Sequence, residues 1–442
     1  MSSQNRLSNA PHNDTTAHRH LKLIRQAALD AADAELAVHR NLELLPDALS
    51  VGRKRIDLHP EGRIRMIAIG KASRSMSRAA EAVLGAKLSA GLAAVPRDDS
   101  KPPLEKIETI PAGHPLPDLG SLSAGKRAAE LVQGSRREDL LLTLISGGGS
   151  AMLELPLAGI SLEDLQTLNL LLLNSGAPIE DVNTVRKAVS RIKGGGLARL
   201  SAPARVVSLI LSDVVGDRLS AIASGPTVLS SGSREARSKA SAVLEKYELW
   251  EKTPSNVRRE LQREPAPHRP ARRPINVIIG SNRMVVHAAK QKALGLGYDA
   301  QVLTYQMRGE ARDIGAKFGR RLNRASPGTC LLMGGETTVT VVGDGLGGRN
   351  QELALAAAFH LESKPDAALM SLATDGVDGP TDAAGAVVNG ETILKARRLG
   401  LDPEQALERN DSYPILKDVG ALIQTGPTGT NLMDLVVGLK LP

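Results

Sequence analysis

The stretch "TVTVVGDGLGGRNQELALAAAFH", Thr338 to His360, sets a β-branched run ahead of a glycine-spaced turn and a helix-like run. Gly343, Gly345 and Gly348 form a GxGxxG, the outline of a dinucleotide-binding turn. Taken at face value, it opens a nucleotide-binding unit that carries a nicotinamide or a flavin. The spacing argues otherwise. A dinucleotide turn needs a second strand that ends in an acid about 20 residues on, where the ribose is held. Here the next apolar strand, "ALMSLAT", ends at Asp375, about 30 residues beyond Gly345. The glycines also lead straight into Arg349, Asn350, Gln351 and Glu352. So polar a first turn does not suit a helix packed closely on a pyrophosphate. It suits a helix N-terminus that presents Arg349 to an anion.

On both sides of this stretch, apolar runs alternate with helical patterns. The strand-like runs are "RIRMIAIG", "SAGLAAVP", "DLLLTLISGGGSAML" and "RVVSLILSDVVG", then "INVIIGS", "DAQVLTYQ", "TCLLMGGE" and "ALMSLATDG". Helical spacing marks about 19–49, "KASRSMSRAAEAVLG", "SLSAGKRAAELVQG", about 161–174 and "IEDVNTVRKAVSRIKGGG". This alternation predicts an α/β fold, a parallel sheet covered on both faces. The segment "REPAPHRPARRP", Arg263–Pro274, reads as a linker. The expected division is a tail at 1–18, an N-terminal α/β domain at 19–262, the linker at 263–274, and a smaller C-terminal α/β domain at 275–442.

Composition narrows the function classes. A chain of 442 residues holds two domains on ordinary sizes and buries a large core without staples. Aromatic residues make up only 2%, so the core is built from Leu, Val, Ile and Ala. The formal charge of +8 lies almost wholly in the N-terminal part. No aromatics are interleaved with those cations to stack on bases, so an anionic small substrate fits better than nucleic acid. The one cysteine, Cys330, sits in a buried-strand pattern and reads as a small core residue in a reducing compartment. The first 18 residues lack an apolar core and read as a loose tail rather than a signal peptide. The run "LNLLLLNSGAPI" is too short to span a bilayer. A cytoplasmic protein is expected.

Ligands of open α/β sheets bind outside the carboxyl ends of strands. Six apolar runs end there in Gly with polar residues: "IAIGKAS", "LISGGGS", "LILSDVVGD", "IIGSN", "LMGGETT" and "LATDGVDGPTD". Lys71 follows a strand at a helix start, where it suits a phosphate or is a plain surface lysine. It is not part of a Walker A loop, since Arg65 stands at the first glycine position and Ala72 at the Ser/Thr position. Ser146, Gly147, Gly148, Gly149 and Ser150 offer unhindered backbone N–H groups that suit phosphate or carboxylate oxygens. Asp213 and Asp217 follow a buried strand; Asp213 either holds Mg²⁺, accepts a substrate proton, or caps a helix. Asp375, Asp378 and Asp382 lack the remaining ligands of an EF-hand. "KAVSRIKGGG" carries Arg186, Lys187, Arg191 and Lys193 beside Gly194 and Gly195, which suits a polyphosphate or a solvated basic helix. No Cys or His spacing supports zinc.

These motifs together resemble the class II glycerate kinases, the glycerate 2-kinase family with a C-terminal MOFRL domain. The resemblance rests on "GKAS", "GHPLPD", "LISGGGSAMLELP", "SRIKGGGLA", "SDVVGD", "IASGPTV", "GGETTVTVVGDGLGGRNQELALA", "ATDGVDGPTDAAGAVV", "NDSY" and "TGPTGTNLMDL", and runs from about residue 20 to the end. It implies a Rossmann-like three-layer N-terminal domain, a smaller C-terminal domain and a cleft between them. It implies ATP-dependent phosphorylation of D-glycerate at the 2-hydroxyl, with Mg²⁺, in a monomer or homodimer. Members are often labelled hydroxypyruvate reductases, which is the alternative function. On this resemblance Lys71, Arg349 and Asp213 are the catalytic residues. Ser146–Ser150 with Lys193, Gly194 and Gly195 hold ATP, and Lys71, Arg349, Asn350 and Glu336 hold glycerate. Asp213, Asp217 and Asp375 are the metal ligands. Two positions depart from the family pattern: Ala188 stands where many members have His, and Arg218 where a second Asp often follows.

Overall fold

The computed structural model describes residues 16–99, 102–230, 233–265 and 270–442. A small antiparallel sheet comes first in the chain, made of β1 (Leu42–Leu44), β2 (Ala48–Val51) and β3 (Lys54–Asp57). It occupies the end of the region expected to be helical. The first helix stops at Ala32, where Asp33 caps a second helix, Ala34–Asn41, by accepting the Leu36 N–H at 2.8 Å; that helix runs directly into β1, and the sheet's next turn is at Gly52, whose φ is +59°.

The first large sheet contains β4 (Ile64–Ile69), β5 (Leu88–Pro96), β6 (Ile107–Ala112), β7 (Leu140–Ile145), β8 (Arg205–Ser212) and β9 (Ile275–Ser281). Its order is β6-β5-β4-β7-β8-β9, and every neighbouring pair is parallel. In chain order this is 3-2-1-4-5-6, the doubly wound arrangement. The central strands are continuous apolar runs because helices cover both faces; β7 is buried at all six positions. Ile67, Ile69, Leu92, Leu141, Ile145 and Met152 form the core on one side. The helices Leu162–Asn174, Ile179–Ala188, Ser233–Lys246 and Ser255–Gln262 make a satellite core around Leu168, Val185, Leu244 and Val257.

The second sheet contains β10 (Asp299–Met307), β11 (Thr329–Gly335), β12 (Ala367–Ala373), β13 (Gly385–Asn389), β14 (Leu422–Ile423) and β15 (Asp434–Lys440), in the order β10-β11-β15-β12-β13-β14. It is mixed rather than parallel. Only β10–β11 run parallel, and β15 inserts antiparallel at the centre. The helices Ala311–Asn323 and Arg349–Leu361 cover it and touch each other closely. A Cβ on Gly319 would stand 2.8 Å from the carbonyl oxygen of Ala357, and one on Gly315 would collide with that of Leu353. Cys330 is buried in β11, and burial pushes its thiol up to about 12, which fits a core residue.

The chain divides into two compact units. One is Ala32–Ser281 with Gly429–Leu432; the other holds the first helix up to Ala31 with Asn282–Thr428 and Met433–Pro442. This corrects the expected boundary at 275. The run "INVIIGS" pairs with β8 from Val207 to Ser212 and so completes the first sheet. Part of the 263–274 segment, residues 266–269, lies outside the described residues, as do residues 1–15 of the expected tail. Thr16 to His18 already belong to the first helix, whose His20 Nδ1 lies 2.8 Å from the Tyr298 hydroxyl.

Candidate active site

The order of the first sheet reverses between β4 and β7, so the crevice at their carboxyl ends is the topological switch point. Lys71 and Ser146–Ser150 stand there. Ser146 Oγ donates to the Ile69 carbonyl at 3.1 Å and accepts the Ala72 N–H at 3.1 Å. The Lys71 N–H donates to the Gly147 carbonyl at 2.8 Å. The two loops are thus stapled through Ser146 and the Lys71 backbone, which leaves the exposed Lys71 side chain free of the staple. Gly148 has φ +81°, a left-handed turn that favours glycine. A Cβ there would stand 3.4 Å from Lys71 Cγ and 3.0 Å from His114 Cδ2. Among the described residues none accepts the N–H of Gly147 or Gly148. Two adjacent open donors beside a lysine make an anion cradle.

Asp213, after β8, packs its carboxylate directly on Gly147; a Cβ at that glycine would collide with it. Ser150 Oγ lies 2.9 Å from Ser224 Oγ, which donates to Asn183 Oδ1 at 2.8 Å. Ala223 and Ser224 sit at φ +47° and +58°, a strained pair held by the structure around them. Lys71, Ser146–Ser150 and Asp213 are therefore brought together at the switch point.

The Lys193 segment is built differently from the expectation. Lys193 is buried and its Nζ pairs with the Glu154 carboxylate, which also accepts from Ser190 Oγ at 2.7 Å. Burial lowers the lysine's pKa against the pull of Glu154. The N–H groups of Gly194 and Gly195 donate to the Ser224 and Gly225 carbonyls at 3.0 and 2.8 Å. These three residues shape the 223–225 turn and are not open to phosphate. Arg186 and Lys187 end the helix Ile179–Ala188 beside this segment, where a Cβ on Gly194 would stand 3.4 Å from Lys187 Cγ. Both are largely withdrawn from water, burial lowers both, and Arg186 Nε donates to the neutral Asn169 Oδ1 at 2.6 Å. Removing one partner of a buried pair strands the other, at a cost of about 3–5 kcal/mol. Glu154→Gln is therefore expected to lower the thermal midpoint sharply, with Lys193→Met in the same chain restoring most of it. A double variant no better than the single one would mean the pair is not the cause.

Asp217 lies four positions past Asp213 with its N–H on the Val214 carbonyl at 3.0 Å, and Asp375 belongs to the other unit. Among the described residues no three His, Cys, Asp or Glu side chains group closely enough to cage a cation. Mg²⁺ needs only one or two carboxylates when substrate phosphates supply the rest, and the carboxylate that stands beside the cradle is that of Asp213. Arg218, the departing position, pairs with Glu180 on the surface. Ala188 is buried in the satellite core.

In the second unit, Arg349 opens the helix Arg349–Leu361. Its Nε and Nη2 donate to the two Asp434 oxygens at 2.6 and 2.9 Å, and Nη1 lies 3.2 Å from Glu336. Asp434 is fully buried, and burial raises its carboxyl to about 7 against the opposing pull of Arg349. Asp378 caps the same helix, accepting the N–H of Asn350 at 3.1 Å and of Gln351 at 2.9 Å. Asn350 is not placed to touch a substrate. It is buried, its Nδ2 donates to Asp378, and its Oδ1 accepts from Ser371 Oγ at 2.6 Å. Glu336 remains exposed.

The GxGxxG is also explained here. No strand runs directly into it; β11 ends at Gly335, and the chain from Glu336 to Gly348 is loop with a single bridge at Thr338. Asn410 Oδ1 accepts the Val342 N–H at 2.8 Å, Arg409 O accepts that of Gly345 at 3.1 Å, and Asp411 Oδ1 accepts that of Leu346 at 2.8 Å. A Cβ on Gly343 or Gly345 would strike the 409–411 backbone. The glycines let two loops pack together and leave these donors no pyrophosphate to bind.

Comparison with known proteins shows the family. Residues 20–262 match the family described as "Domain of unknown function (DUF4147)", and residues 329–434 match the MOFRL family. The D-glycerate 2-kinase of Thermotoga maritima is 45% identical over 390 residues, covering 85% of this chain and 90% of the relative. The glycerate 2-kinase of Pyrococcus horikoshii is 41% identical, covering 95% and 96%. The chain belongs to the glycerate kinase family. A solved glycerate kinase structure from Thermotoga maritima matches with a TM-score of 0.85 at 40% identity, covering 95% of this chain and 98% of that one. Within this glycerate kinase family chain, the DUF4147 match contains the β4–β7 cradle, and the MOFRL match contains Arg349 and Asp434.

Proposed function

We propose that this chain transfers the γ-phosphoryl group of ATP to the 2-hydroxyl of D-glycerate, giving 2-phosphoglycerate and ADP. The observation that supports this most is the cradle at the switch point, open N–H donors with Lys71 on one side and Asp213 on the other, in a chain whose relatives are glycerate kinases. Phosphoryl transfer asks the protein for position and charge neutralisation rather than for covalent chemistry. Gly147 and Gly148 donate to phosphate oxygens. Lys71 neutralises the transferring group. Arg186 and Lys187 supply cations for the rest of the triphosphate, in place of Lys193. Mg²⁺, when bound, would neutralise charge on the phosphates, and Asp213 is the residue that would hold it.

Arg349 takes the glycerate carboxylate. Asp434 fixes the Nε–Nη2 edge, so the guanidinium is oriented before the substrate arrives. Glu336 occupies Nη1, the position a substrate carboxylate would take over. A hydride-transferring hydroxypyruvate reductase is disfavoured, because the donors of its would-be cofactor turn are engaged by the 409–411 loop. No helix among the described residues is long and apolar enough to cross a membrane. The enzyme is taken to work in the cytoplasm as a monomer or homodimer without a nucleic-acid partner.

A coupled assay for ADP tests the function. ADP should form with D-glycerate, ATP and Mg²⁺ and not with ATP and Mg²⁺ alone, while hydroxypyruvate with NADH should leave the NADH unconsumed. ADP release indifferent to glycerate, or NADH oxidation, overturns it.

A further inference from the structure

His114 lies on the loop that follows β6, after Gly113, and its ring reaches the cradle. A Cβ on Gly148 would stand 3.0 Å from His114 Cδ2, 3.4 Å from its Nε2 and 3.4 Å from Lys71 Cγ. The imidazole and the lysine therefore flank the same glycine, whose N–H is open to an anion. The ring also keeps access to solvent, as a group that meets a substrate must.

Lys71 faces it from the loop after β4. Asp213 stands on the far side of Gly147, from the loop after β8. On its own segment Asp118 is engaged by Arg97 Nε at 2.7 Å and by the Ser121 N–H at 2.8 Å, so that carboxylate is committed elsewhere. Partial burial and the adjacent Lys71 hold the imidazole below its ordinary pKa of 6.5. At neutral pH it is uncharged and keeps a lone pair. Asp213 lies against Gly147 rather than Gly148.

We propose that His114 is the proton acceptor for the attacking hydroxyl, beside Gly148 and Lys71. In the step, the bond from the glycerate oxygen to γ-phosphorus forms while the bond from that phosphorus to the β–γ bridging oxygen breaks. The hydroxyl proton passes to a ring nitrogen of His114, ADP leaves with the electron pair, and the ring returns its proton to solvent. This rests on the kinase reading above.

The test is the pH profile of the wild type against His114→Gln in the glycerate-dependent ADP assay. General-base catalysis is worth about 10²–10⁴-fold, so kcat should fall about 100-fold, with KM for ATP little changed. The decline of kcat/KM on the acid side, set by a pKa below 6.5 in the wild type, should disappear in the variant. A purely structural His114 would leave that acid limb in place. Should His114→Gln not fold, His114→Ala with added imidazole decides the same question: saturable rescue supports the role and its absence overturns it. Kinase activity in the wild type with kcat within about threefold in H114Q rejects His114 alone. No glycerate-dependent ADP in the wild type rejects the kinase reading itself.

Discussion

Lys71→Met is expected to remove phosphoryl transfer almost completely while leaving the fold unchanged. Loss of one preorganised charge-stabilising group at a transferring centre costs about 10²–10³-fold in kcat. The fold should survive because the loop is held by backbone and serine groups, the Lys71 N–H on the Gly147 carbonyl and Ser146 Oγ on Ile69 and Ala72. Methionine keeps those bonds and the alkyl stem. The measurement is steady-state kcat for both substrates beside the thermal midpoint. A midpoint unchanged with kcat lost places Lys71 in the reaction. Activity within tenfold of the wild type would remove it from the mechanism, and the cradle would then be a turn and nothing more.

Arg349→Ala should have two consequences, because one guanidinium serves a substrate and a buried acid. Losing the bidentate carboxylate contact should reduce kcat/KM for glycerate by about 10²-fold or more. The second consequence is a stability that depends on pH. Burial already raises the Asp434 carboxyl from 3.8 to about 7 while Arg349 pulls it down. A raised carboxyl binds its proton more tightly folded than unfolded, so its contribution is present below the unfolded value and is lost as pH rises through the folded one. Without Arg349 the folded value climbs further, and the loss deepens and extends to higher pH. The midpoint deficit of Arg349→Ala against the wild type should therefore be small near pH 5 and grow toward pH 8.5. Adding Asp434→Asn should flatten it. A deficit that does not vary with pH would contradict the buried pair as described.

What could be read in the sequence follows the range of the interactions. The parallel sheet was legible because its strands are buried on both faces, and burial writes an unbroken apolar run such as "DLLLTLI". The carboxyl-end loops followed from it, and with them Lys71, the SGGGS loop and Asp213. The antiparallel centre of the second sheet was not legible, since β15 is as apolar as a parallel strand and only its pairing shows its direction.

Side-chain partners were hidden for the same reason. Lys193 looks like a phosphate lysine beside three glycines until Glu154, far away in sequence, is seen to neutralise it. Asn350 looks like a substrate contact until it is seen buried, with its Nδ2 bonded to Asp378 and its Oδ1 to Ser371. Gly343, Gly345 and Gly348 look like a cofactor turn until the 409–411 loop is seen against the first two and Asp378 against the third. Asp434 and Asp378, which orient Arg349 and its helix, left only a weak signal: acids standing where buried strands begin or end. The expected linker failed because an apolar strand after a proline-rich segment can join either sheet, and "INVIIGS" joins the first.

Product identity separates a glycerate 2-kinase from every rival. Purified protein is incubated with ATP, Mg²⁺ and D-glycerate, and the phosphorus resonances are assigned by their coupling to the glycerate protons. One new phosphate ester is expected, coupled to the single proton on C2 and growing as ATP is converted to ADP. An ester coupled to the two protons on C3 would keep a kinase but contradict the proposed placement of the 2-hydroxyl, and inorganic phosphate with no ester would contradict the proposed function altogether.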